Sequence, residues 1–141
     1  MTTVNELLKK MRERVGRVKR AVVLHVHAGV TKRTPVDTGR ARGSWNVAIN
    51  HVDSSTLPPV AAASGVSKAL GGRGFKRYGA PRPAVGRIEA GDEVFVSNHL
   101  PYIAKLNDGS SKQAPAGFVQ VAIEETKAAF AGLVAAVKAG A

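Results

Sequence analysis

Near the N-terminus, apolar residues recur at steps of three and four: Val4, Leu7, Leu8, Met11, Val15, Val18, Val22 and Val26. At helical pitch these positions fall on one stripe, so the spacing predicts a single amphipathic helix over residues 4–30. Such a helix must lay its stripe on something, and this limits the rest of the chain to elements that can cover it. The basic residues lie mostly off the stripe. Thr3 (or Thr2) is placed to cap the start, with Glu6 three residues after Thr3 in capping-box register. Gly29 and then Pro35 mark the predicted exit. A second stripe, made by Val119, Ile123, Thr126, Phe130, Leu133, Val134 and Val137, predicts a C-terminal helix opened by Pro115 in the favoured first-turn position.

Between the helices the period changes. Thr34-Pro35-Val36-Asp37-Thr38-Gly39-Arg40 reads as a turn. Pro35 fixes its own φ and drives Thr34 out of the helical region, Asp37 or Thr38 bonds nearby backbone N–H groups, and Gly39 tolerates positive φ. Ser44 to Asn50 then alternates, with Trp45, Val47 and Ile49 on one face of a half-buried strand. Arg87 to Asn98 reads as a hairpin turning near Ala90-Gly91-Asp92. Residues 101–106 read as a short helix ending at Asn107-Asp108-Gly109. No internal repeat is present. The fold class expected is α+β: a small antiparallel sheet against a long N-terminal and a C-terminal helix, with a long extended arm between strands.

That arm spans residues 53–86. It holds Pro58, Pro59, Pro81 and Pro83 among Gly65, Gly71, Gly72, Gly74, Gly79 and Gly86, and no period survives across it. A stretch of this length without regular structure inside one domain is usually functional or disordered. The 141 residues suit a single domain. Aromatics make up only 5%, so the expected core is Val, Ala, Leu and Ile, with Trp45 and Tyr102 as rare large anchors. The formal charge of +11 is concentrated, with +7 in residues 1–33 and +4 in residues 53–86. This clustering favours an acidic partner, either nucleic acid or an acidic protein surface. With no cysteine there is no disulfide framework. No apolar run reaches the ~20 residues of a membrane span, and no secretory signal is expected.

Candidate chemistry is sparse. His25 and His27 are two apart on a helix and point in different directions, so metal chelation is not expected; a solvated position near a helix C-terminus is. Asp92-Glu93 and Glu124-Glu125 are adjacent pairs that do not share a face. Ser44, Ser97, Ser110 and Ser111 lack the context of an activated nucleophile. The expectation is therefore a non-enzyme with no cofactor. Gly71 to Tyr78 interleaves Arg73, Phe75, Lys76, Arg77 and Tyr78 with glycine, as single-stranded nucleic-acid binders do. One copy favours a basic arm docking on protein. The alternative function is a basic nucleic-acid-binding module using the first helix and the arm over residues 68–82.

Two blocks carry a resemblance. Thr34 to Trp45, with its Thr-Pro-Val-Asp-Thr-Gly-Arg run and Ser44-Trp45, resembles a block of the tail-component (tail-completion) family of long-tailed bacteriophages, prophages and gene transfer agents. Asn98-His99-Leu100-Pro101-Tyr102-Ile103 followed by Leu106 to Val119, which includes Gly109, Gln113 and Pro115, is similar to a second block of that family. The resemblance implies a structural virion protein in the tail and neck region, present in host cytoplasm during assembly. It implies a ring of six identical subunits that ends the tail tube, meets a head connector, and passes DNA through its bore. Pro35, Asp37, Thr38, Gly39 and Arg40 then become a rigid joint, with Asp37 fixing backbone and Arg40 facing a partner carboxylate. Trp45, Pro101, Tyr102, Gly109, Gln113 and Pro115 become structural or interface anchors. Lys68, Arg73, Phe75, Lys76, Arg77, Tyr78 and Arg82 become contacts of the arm. One departure stands out: Asn107 holds a position where the family pattern has an acid, so a salt bridge there is not expected.

Overall fold

The computed structural model describes residues 3–34, 40–56, 82–109 and 116–140. The elements in chain order are α1 (Val4–Arg33), α2 (Arg40–Gly43), β1 (Asn46–Ile49), α3 (Arg82–Val85), β2 (Val94–Ser97), α4 (Ile103–Asn107) and α5 (Phe118–Ala139). The class is α+β: two long helices and a small antiparallel sheet packed together.

Helix α1 starts as its sequence dictates. The Glu6 N–H donates to Thr3 Oγ1 at 3.2 Å, and the Thr3 N–H donates to Glu6 Oε2 at 3.0 Å, closing the capping box. It ends one turn later than expected. Thr34 is extended, at φ −65° and ψ 127°, as a residue before proline must be. Gly29 is interior to the helix, where its missing side chain lets α5 come close: a Cβ there would lie 3.2 Å from Ala122 Cβ.

Helix α5 runs antiparallel to α1, as the pairings Gly29–Ala122 and His25–Thr126 show. It begins at Phe118, after Gly117 at φ 81°. The expected first-turn proline is therefore corrected: Pro115 precedes the first helical residue by three positions and lies outside the described residues.

Strand β2 pairs antiparallel with β1, Asn46 opposite Ser97 and Ile49 opposite Val94. This overturns the expected local hairpin. The turn itself exists, with the Asp92 N–H donating to Glu89 O at 3.1 Å, but residues 87–90 form no strand. Their one large apolar residue, Ile88, is fully buried with Val85 and Val23. The end of the supposed arm is thus core: α3 and the turn after it anchor the sheet to α1. Trp45 belongs to a second cluster with Val30, Phe118 and Ala122, and Val96 touches both clusters. Strand β1 is also less one-sided than its alternation suggests, because Ala48 on the opposite face is buried too.

Candidate docking surface and the joint behind it

The two sequence blocks meet in space. Thr34 Oγ1 donates to Val30 O at 2.6 Å and accepts from Trp45 Nε1 at 2.8 Å, fixing the indole against the end of α1. Arg42 covers the neighbouring carbonyls, donating to Thr34 O at 3.1 Å and Lys32 O at 3.0 Å. A cation at a helix C-terminus suits the exposed carbonyls and their dipole. From the second block, Asn98 Nδ2 donates to Ala41 O at 2.8 Å. Asn107 joins α4 to α5: its backbone O accepts from the Gly117 N–H at 2.6 Å, and its Oδ1 accepts from the Val119 N–H at 3.0 Å. Asn107 therefore caps α5 at the position where the resemblance pattern has an acid.

Of the residues singled out in the sequence, Trp45 is buried at this joint and Gly109 takes φ 95° behind α4, as glycine allows. Tyr102 supplies the carbonyl that accepts from the Leu106 N–H, and Pro101 is exposed. Arg40 and Arg82 are the first residues of α2 and α3. Pro35, Asp37, Thr38, Gly39, Gln113, Pro115, Lys68, Arg73, Phe75, Lys76, Arg77 and Tyr78 lie outside the described residues. The roles of Thr34, Arg42, Asn98 and Asn107 were missed because single polar side chains carry no period. Their only sequence signal is a place beside a helix end.

The histidines correct another expectation, since neither is a solvated end residue. His25 Nδ1 lies 2.7 Å from Thr126 Oγ1. The Thr126 hydroxyl already donates to Ala122 O at 3.0 Å, so His25 Nδ1 is the donor. His27 is buried, and its Nε2 has no hydrogen-bond partner among the described residues. Burial pushes its pKa below the ordinary value, against a smaller upward effect of its bond to the Trp45 backbone. Among the described residues no three metal-ligating side chains gather, and no helix is long and apolar enough to cross a membrane.

The stripe of α1 divides into two parts. Its C-terminal half lies under α5. Its N-terminal half extends beyond the body: Val4 is 73% exposed, Leu7 53% and Met11 54%. Where α5 ends, the two helices flank an open cleft of about 680 Å³. Val15, Val18 and Val22 line one wall, Phe130, Val134 and Val137 the other, and Arg14, Lys19, Lys138 and Asp92 stand around it. Lys19 is committed to the turn below, donating to Ala90 O at 2.5 Å and Asp92 O at 2.6 Å. The Asp92 carboxylate is committed too, accepting from the Glu89 N–H at 2.8 Å and from Asn50 Nδ2 at 3.1 Å. These bonds, the Glu89 one foremost, hold its pKa below the usual value. No family model matches the chain, and neither a curated protein nor a solved structure matches it.

Proposed function

We propose that this chain is a structural subunit of the head–tail junction of a long-tailed phage or a related particle. It forms a ring that ends the tail tube and joins it to the neck. The observation that carries the assembly reading is the uncovered length of apolar α1. A single chain leaves Val4, Leu7, Leu8 and Met11 in water beside an open apolar cleft, and a contiguous exposed patch of this kind is characteristic of an interaction site. The resemblance of the two blocks supplies the kind of assembly, and their meeting at Asn98 and Ala41 makes them one joint in the fold. A surface that binds phosphate backbone would not need an apolar stripe at its centre, so the assembly reading is preferred to the nucleic-acid module.

Light scattering on the purified protein, at low and high salt, with duplex DNA and with tail-tube protein, tests the proposal. A salt-resistant ring, alone or with tube protein, and indifference to DNA are expected. Tight DNA binding that collapses with salt, with no defined oligomer, overturns it. Deleting residues 60–80, which stops short of α3, is expected to leave a folded monomer that assembles poorly; unchanged assembly would remove the arm from the interface.

A further inference from the structure

We infer that the overhanging stripe of α1 and the cleft at the end of α5 receive an amphipathic helix of another protein, apolar on one side and flanked by carboxylates. This adds the partner's chemistry to the assembly reading, and rests on that reading for the partner being a protein.

The face of α1 dictates a helical occupant. Gly29 and His25 meet α5, and at about 100° per residue Val22, Val18, Val15, Met11, Leu7 and Val4 continue the same face in line. The overhang from Val4 to Met11 adds ~12 Å at 1.5 Å per residue. A helix laid there takes up the packing that α5 leaves off, and its end enters the concave cleft between Val15 and Val137.

Charge decides which helix. On the same wheel Lys10 and Arg14 border the stripe on one side and Arg12 on the other, and Lys138 adds a cation where α5 ends. Glu6 and Glu13 turn to the back of the helix. Asp92, the carboxylate at the cleft, is already bonded to Glu89 and Asn50. The rim facing a partner is therefore positive on both sides. A second copy of α1 would bring Arg12 and Arg14 against their own counterparts, which opposes a homotypic pair. Carboxylates at the matching flank positions of a different helix are attracted instead. The concavity distinguishes the site from a flat lipid-binding face.

The test uses the full chain and a fluorescein-labelled synthetic helix of about 18 residues, with leucines along one side and glutamates beside them. Fluorescence anisotropy should show saturable binding that weakens with salt. A peptide with lysines for the glutamates should bind at least tenfold worse. Leu7→Asp and Met11→Asp should each weaken binding about tenfold, the scale of losing one buried anchor, with the thermal midpoint unchanged because both side chains are exposed. Equal binding of both peptides, or of neither, overturns the proposal. So does binding of phosphatidylserine vesicles in place of the peptide, or an oligomer that Leu7→Asp converts to monomer. The peptide assay contains no tube protein. Absence of rings would therefore defeat the assembly reading alone, while rings from a chain that ignores the acidic peptide would defeat this one alone.

Discussion

The Thr34 hydroxyl serves two bonds at once, donating to Val30 O and accepting from Trp45 Nε1. Trp45→Phe keeps most of the ring in the Val30–Phe118 cluster but removes the donor, and should cost roughly 1–2 kcal/mol in urea unfolding. Trp45→Ala should cost ~3–5 kcal/mol, because it also opens a cavity. His27 carries a pH signature. Its folded pKa lies below its unfolded value of 6.5, so below that pH the unfolded chain takes up the proton more readily. The stability that neutral His27 contributes is complete above about pH 6.5 and declines as pH falls through the interval between the two values. The thermal midpoint should drop on acidification, and the drop should be smaller in His27→Leu. An equal slope in both proteins would assign the effect to other groups. Asn107→Ala should cost about 1 kcal/mol as a lost helix cap, and Asn107→Asp should restore most of it, because an acceptor with negative charge suits a helix N-terminus.

Among the elements, α1 and α5 come close at Gly29. Gly29→Ala gains up to ~1 kcal/mol of helix propensity, but its Cβ would sit 3.2 Å from Ala122 Cβ, so little net change is expected. Gly29→Val should destabilise by about 1–3 kcal/mol through overpacking, read as a lower urea midpoint. This contact also explains what could be read from the sequence. The start of α1 was legible because Thr3 and Glu6 act locally, whereas its stop was read a turn too early, Pro35 acting only on its immediate neighbour Thr34. Gly29 was misread as an exit because a glycine looks alike whether it breaks a helix or admits another one. The alternation of Val94 and Val96 was legible, but their partner was not: residues 87–90 stand next to β2 in sequence, while β1 is the strand that pairs with it. The apolar stripe of α1 was visible as a pattern, yet only the fold shows that α5 stops short of covering it.

At the scale of the whole molecule, the charge and the apolar surface coincide. Lys10, Arg12 and Arg14 border the exposed stripe, so association through it should be faster and tighter at low salt, with much of the change in the association rate. The sheet holds a different consequence. β1 ends at Ile49 and β2 begins at Val94, and Asn50 locks the point where the chain departs and returns. It takes φ 62°, and its N–H donates to Glu93 O at 2.7 Å while its Oδ1 accepts from the Glu93 N–H at 2.9 Å. A loop closed at its neck in this way is a natural graft site. Doubling the length of such an excursion raises the entropy cost of closure by only about 0.6 kcal/mol. Descendants of this chain can therefore change the length of the stretch between Thr56 and α3 at little cost, while α3 and Ile88, which belong to the core, must be kept.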